Sequence, residues 1–394
     1  MAIGRTKPGH LLALGGLGAV LLWVVAFFNG TLDNMNAAIA KGTLPDGRPL
    51  RSTFTGIGAL DGRIGYLVAF YEVLSNTTTL GPRLLFVNIN FLIAATNIWV
   101  FVESRRRGVR SMALRHPVPF IILWLGLGAA FILPLYFWLH TRTKAVVRDP
   151  TVPHNEAIAL FLAAIPSFLP PLLLFLPPWL GMSTFQHHGY IGLFLASPFF
   201  IVMSCLTGVA LLTPWYGLVA KKDPNNPHSD KGWIKATYNL VGVLSAAVHL
   251  TCVAISLTSS DRDLSLIRVF APSPGKMHSF DTAVSLVGGG GNVTLASSLP
   301  AAYHVLFEGY HLFTQLDYAV VSAACVVFTH WMLHNRGGDR TKAEATMSGA
   351  EVRDLALLIL GTLTIGPGAA GSFALAARED RIRQAYSGDE RKVK

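Results

Sequence analysis

Six carboxylates stand inside or beside apolar runs: Asp61, Glu72, Glu103, Glu308, Asp317 and Asp354. Charging an acid in hydrocarbon is costly and burial raises its pKa, so an acid placed there tends to keep its proton. A kept proton is a usable general acid. Asp61 and Glu72 are three helical turns apart, which puts both on one stripe if 60–74 is helical and predicts that they border one cavity. Glu103 precedes Arg105, Arg106 and Arg107 and reads first as an interfacial ion-pair partner. Asp354 follows Arg353 at a helix start and reads as a helix-dipole residue. On a helix through "AAYHVLFEGYHLFTQLDYAVV" (301–321), Tyr303, Phe307, Tyr310, Thr314 and Asp317 recur at i, i+4, i+7, i+11 and i+14 and share one face. Aromatic faces stabilise cations, so an acid at the end of such a wall could start a cation that the wall then guides. An aromatic packing face with an interfacial Asp explains the same spacing, and the residues alone favour that plainer account.

Other chemistries fail on required residues. Ionising an allylic diphosphate needs clustered aspartates to hold Mg²⁺, and the chain has no Asp-Asp pair and no Asp-rich helix. The Asp-x-Asp-Asp acid motif of soluble protonating cyclases is missing too. "HWMLH" (330–334) and "HHG" (187–189) pair histidines, and His304, Glu308 and His311 share a helix face. A carboxylate-bridged di-iron bundle, however, needs two Glu-x-x-His pairs and two further Glu, and only Glu308-x-x-His311 is present. These histidines read as hydrogen-bonded packing residues, with no metal expected. "VGGGGN" (287–292) lacks the Lys-Ser/Thr of a phosphate loop and reads as a linker.

The surrounding chain is built for lipid. Of 394 residues 52% are hydrophobic and 14% charged, a balance foreign to a water-soluble domain of this length. Apolar stretches able to cross ~30 Å of hydrocarbon as helices fall at about 10–28, 84–102, 118–139, 157–180, 190–212, 237–257, 313–333 and 354–377. The expected fold is therefore an all-α, polytopic membrane bundle of about eight spans within a single domain, 1–394. Leu60 to Leu74 carries Asp61, Arg63 and Glu72 and is a re-entrant or interfacial candidate. The first run is read as a retained signal anchor. Cys205, Cys252 and Cys325 all lie in spans, which argues against a disulfide framework.

The net charge of +10 gathers in juxtamembrane clusters such as "ESRRRGVR" (103–110) and "KKDPNNPHSDKGWIK" (221–235). Anionic lipid headgroups suffice to explain them, and nucleic acid is not required. The 32 Lys and Arg divide evenly between the two sides of an eight-span topology, so charge bias sets no orientation. Asn29, Asn76 and Asn292 begin glycosylation tripeptides. Segments 29–59 and 258–300 are long enough to lid a cavity, and prolines 166, 170, 171 and 367 break spans, as happens in plain packing kinks and beside cavities. Internal repeats of the kind that build transporter halves are missing.

At "TGIGALDGRIGYLVAFYEVL" (55–74), "WVFVESRRRG" (99–108), "QLDYAVV" (315–321) and "GTLTIGPGAAGSFALAARED" (361–380) the chain resembles the fungal membrane-bound terpene cyclases of the ascochlorin, ascofuranone and macrophorin pathways. The likeness spans nearly the whole chain, and Gly58 stands where the family commonly has proline. The resemblance implies an endoplasmic-reticulum enzyme that cyclises a prenyl chain on a polyketide-derived or other aromatic ring. Protonation of an epoxide or alkene would start the reaction, with no metal, cofactor or diphosphate loss. The matching stretches support Asp61, Glu103 and Asp317 as catalytic candidates; Glu72 and Glu308 join them on physical grounds, and Tyr303, Phe307, Tyr310 and Thr314 are the expected substrate wall. A transporter or small-molecule binder, and less readily a di-iron oxygenase, are the competing readings.

Overall fold

The computed structural model describes residues 6–77, 79–109, 111–142, 149–216, 228–276, 301–334 and 346–393. Helices follow one another as α1 (Pro8–Phe28), α2 (Thr31–Lys41), α3 (Gly58–Ser75), α4 (Leu80–Ser104), α5 (Met112–Arg115), α6 (Val118–Leu127), α7 (Ala129–Arg142) and α8 (His154–Ala164). They continue as α9 (Leu172–Trp179), α10 (Thr184–Tyr216), α11 (Lys231–Thr258), α12 (Leu266–Phe270), α13 (Ala301–His334), α14 (Gly349–Thr364) and α15 (Pro367–Val393). The expected all-α class is what is found: the described residues contain no strand, and an isolated β-bridge pairs Thr43 with Pro49. "VGGGGN" and Asn292 lie outside them.

Five helical stretches, Pro8–Phe28, Leu80–Ser104, His154–Trp179, Lys231–Thr258 and Tyr303–His334, are long and apolar enough to cross a bilayer among the described residues. A bent pair, Thr184–Ser197 with Phe200–Leu211, would make a sixth. That is fewer than the eight expected, and glycine accounts for two of the differences. Gly128 (φ +93°) and Gly366 (φ +91°) adopt a left-handed conformation closed to side-chain-bearing residues. They split 118–139 into α6 and α7 and end α14 before α15. Proline 367, lacking an N–H, opens α15 where none is needed.

α4 is the axis of the bundle. It is apolar nearly all round and buried on every side, with α11, α13 and α15 packed against it. At 1.5 Å per residue its 25 residues span roughly 38 Å. Its N-terminal end follows the close of α3, where Glu72 sits, and its C-terminal end carries Glu103, so two buried polar clusters described below lie toward opposite ends of α4.

Candidate active site

Glu72 lies one turn from the end of α3 and is fully buried. Its Oε1 accepts hydrogen bonds from Arg48 Nη1 at 2.7 Å and from Asn76 Nδ2 at 2.8 Å. Arg48 is delivered by the loop after α2. There Leu44 N–H donates to Arg48 O, Gly47 N–H to Leu44 O and Leu50 N–H to Gly42 O, while Asp46 takes Arg48 Nε at 2.7 Å. The 29–59 segment thus closes over the site with a helix and a tight turn. The remaining oxygen, Glu72 Oε2, faces α10: His187 Nδ1 is 2.5 Å away and His188 Nε2 3.5 Å.

Hydrogen-bond inventory fixes a proton in this contact. His187 Nε2 sits 2.9 Å from the carbonyl oxygen of Leu174, which can only accept, so Nε2 carries hydrogen. A neutral ring would then turn a bare Nδ1 lone pair to a carboxylate oxygen 2.5 Å away, an arrangement that electrostatic repulsion forbids. One proton therefore sits between Glu72 and His187. Burial works to raise the Glu72 pKa, but hydrogen bonds from His187 and His188 and the charge of Arg48 outweigh it and hold the carboxyl well below the usual range. Even so, Glu72 Oε2, His187 Nδ1 and His188 Nε2 are buried without an aligned hydrogen-bond partner among the described residues. The shared proton rather than the misalignment sets this contact apart, since Glu103, another buried acid, also leaves an oxygen without an aligned donor.

His188 connects this junction to a cavity of about 440 Å³ whose wall is formed by Pro49 to Thr53, Phe185 and His188. That volume lies within the ~300–1,000 Å³ typical of small-molecule sites. The Arg51 guanidinium caps it, lying over the rings of Phe54 and Phe185 at 5.0 and 4.5 Å.

Aromatic rings extend from the junction in the other direction. Arg48 Nη2 donates to the Tyr303 hydroxyl at 2.9 Å, and Tyr303 stacks on Phe307. Phe70 meets Tyr310 edge-on at 4.9 Å and Phe313 at 5.6 Å, while Tyr71, beside Glu72, packs on Phe86 and Phe194. The Tyr310 hydroxyl is buried with no hydrogen-bond partner among the described residues, unusual for a tyrosine. Thr314 back-bonds to Tyr310 O and so spends its hydroxyl inside α13. The shared face of Tyr303, Phe307, Tyr310, Thr314 and Asp317 is continuous helix and buried throughout.

The other candidate acids are elsewhere. Asp61, at the N-terminal end of α3, accepts from Thr55 N–H and hydroxyl and from Gly56 N–H. The Thr55 backbone bond foremost holds its pKa below the ordinary value. It shares no hydrogen-bond partner with Glu72, which lies roughly 16 Å along the helix, and neither acid is among the residues that line the cavity by His188. Asp61 fastens the loop leading into α3. Glu308 is clamped by Arg268 Nη2, 2.6 Å from each oxygen, and Arg268 Nη1 meets His311 Nδ1 at 2.8 Å; the group docks α12 onto α13. Asp317 accepts the backbone N–H of Ala130, at the N-terminus left when Gly128 breaks the helix. Asp354 pairs with Arg381 and His334, and burial, which raises its pKa, is outweighed by the Arg381 bond.

Glu103 sits at the far end of α4 within 3.0 Å of Arg106, Arg378 and the Tyr238 hydroxyl. His330 bonds Thr6 and the Glu351 carbonyl, which is packing use. Of the glycosylation tripeptides, Asn29 caps Thr31 and Asn76 spends its amide on Glu72, so a glycan on Asn76 would cost the site a donor. Sequence reasoning missed Arg48 and Asn76 and set His187 and His188 aside as metal candidates. The "HHG" doublet was the one available signal, and nothing in one dimension aligned it with an acid 115 positions earlier.

A family model described as the CtvD domain matches residues 7–383. The chain belongs to the CtvD domain family. Curated relatives cover it end to end: terpene cyclase DEP1 of Alternaria brassicicola is 41% identical over 96% of this chain and all of its own length, and terpene cyclase DEP1 of Fusarium langsethiae is 39% identical with the same coverage. Terpene cyclase alnG of Emericella nidulans is 26% identical over 93% of this chain and 92% of its own. No solved structure matches.

Proposed function

We propose that this CtvD-family protein is a multi-pass terpene cyclase of the endoplasmic reticulum that cyclises the farnesyl-type chain of a prenylated aromatic or polyketide-derived substrate. The proton shared by Glu72 and His187 starts the reaction, and His188, whose Nδ1 accepts from Arg51 N–H, turns its Nε2–H toward Glu72 and orients the carboxylate. The proton adds to an epoxide oxygen or an alkene carbon; the C–O or π bond opens to a carbocation, successive alkenes add to it, and a final C–H proton returns to the junction. Reactant and product are isomers, and no metal or redox partner is needed to balance the step. Arg51 over Phe54 and Phe185 suits an electron-rich or acidic head group, and the Tyr71, Tyr310 and Phe70 rings offer faces to a cation.

The observation that carries this reading is the meeting of Glu72 Oε2, His187 Nδ1 and His188 Nε2 around one proton, directly behind a cavity whose wall His188 helps to form. The names of the relatives support the reaction class. Microsomes carrying the protein, given a farnesylated phenol epoxide with and without chelator, are expected to yield an isomer of unchanged mass in both cases. A product heavier by one oxygen, or turnover lost with chelator, points to an oxygenase. Uptake without conversion points to a transporter or binder.

A further inference from the structure

The basic run after α4 builds a second cavity, far from the Glu72 junction. Its volume is about 320 Å³, and its wall includes Arg105, Arg106, Arg107, Arg115, His116 and Glu156. Arg106 is spent on Glu103 and Glu379. The others are not. Arg105, Arg107 and Arg115 form no ion pair among the described residues; Arg105 Nη2 reaches only Met203 Sδ at 4.0 Å, its Nε is buried without a partner, and Arg115 gives its Nε to Val109 O. The wall thus carries three uncommitted guanidinium groups against one carboxylate, Glu156, and a charge of about +2 is left in a concave site. Arg105 is half-buried while Arg107 and Arg115 are exposed, so the charge stands at the mouth of the hollow, within reach of a ligand from outside.

Placement tells what the charge is for. The cavity lies where Leu80–Ser104, one of the apolar crossing helices, ends. Beside it α5 leaves Met112 68% exposed, an apolar side chain at the rim of a basic hollow. Guanidinium forks match phosphate oxygens bidentately. At the end of a bilayer-crossing helix, the phosphates present at high local concentration are those of lipid headgroups.

We propose that this cavity is a binding site for a phosphate group presented by an anionic membrane lipid, with Arg105 and Arg107 as its principal ligands and Met112 against the acyl region. Glu156 opposes the ligand's charge and so limits affinity. The site is independent of the cyclase reading.

The test is native mass spectrometry of the full chain released from nanodiscs of phosphatidylcholine with or without phosphatidic acid. The expected result is one retained phosphatidic acid in preference to phosphatidylcholine. Arg105→Gln/Arg107→Gln should weaken retention ~10-fold or more, and Glu156→Gln should strengthen it. Glu156→Gln keeps the test decisive if the double variant folds poorly, because a gain of binding cannot come from misfolding. Equal retention of both lipids by the wild type, or a Glu156→Gln variant that holds phosphatidic acid no more tightly, would overturn the assignment. Displacement of the lipid by inorganic phosphate at equal concentration would overturn its lipid source.

Discussion

Toward the two ends of α4 lie buried acids in opposite circumstances. Around Glu103 three carboxylates, Glu103, Glu379 and Asp230, meet three guanidinium groups, Arg106, Arg378 and Arg383, and the Tyr238 hydroxyl donates to the same Glu103 Oε1 that takes Arg106 and Arg378. Charge balances there, three carboxylates against three guanidinium groups, although Glu103 Oε2 has no aligned donor among the described residues and faces His140 Nε2 at 3.7 Å. Around Glu72 two carboxylates, Glu72 and Asp46, face one guanidinium, Arg48, and the deficit is met by imidazoles. A balanced buried network has nothing to give away, so it fastens α4, α11 and α15 together. A cluster one positive charge short must hold a mobile proton, and imidazole is the side chain suited to carry it.

Breaking the Glu103 end should have the largest effect. Glu103→Gln leaves Arg378 and part of Arg106 buried without their counter-charge, and removing one partner of a buried pair costs ~3–5 kcal/mol. Detergent-solubilised yield and melting temperature should fall sharply, while turnover per surviving folded molecule stays near wild type. Arg48→Gln comes next. It removes the counter-charge and the Tyr303 hydrogen bond but no proton carrier, so turnover should fall ~10-fold through misplacement of Glu72, with folding measured by size-exclusion profile largely intact.

Asp317→Asn should be milder. The amide oxygen can still accept from Ala130 but without charge, a change of ~1 kcal/mol in capping. It should lower thermal stability and leave the product ratio alone; a large loss of turnover at normal stability would instead make Asp317 a proton donor. Tyr310→Leu should have the smallest effect on rate. Losing an aromatic face worth about 1 kcal/mol to a desolvated cation should slow turnover a few-fold and shift products toward prematurely quenched rings, read by chromatography of the product mixture.

Composition made the helical membrane character plain, and the i, i+4, i+7 spacing of Tyr303, Phe307 and Tyr310 correctly marked one buried face. The span number was not legible, because Gly128 and Gly366 look like ordinary small residues until their backbone angles are known. Nor did the list of acids sort itself. Glu103, Glu308 and Asp317 are each explained by partners distant in sequence, Glu103 by Arg378, Asp317 by Ala130 and Glu308 by Arg268. Asp61 is explained by the turn at Thr55 and Gly56 just before its helix. Glu72 stands out because its partners leave a proton shared between its carboxylate and His187. That arrangement belongs to four segments at once, and a helical stripe on one of them could not show it.

The central claim is that the Glu72 end does chemistry and the Glu103 end does not. The most direct test is turnover of a farnesylated phenol epoxide per folded molecule by Glu72→Gln, with folded protein counted by size exclusion and Glu72→Asp run alongside. The account predicts a loss of ~100-fold or more for the amide, which keeps the shape of the site but not its charge or exchangeable proton, and partial activity for the shorter acid. Full turnover by well-folded Glu72→Gln would contradict it.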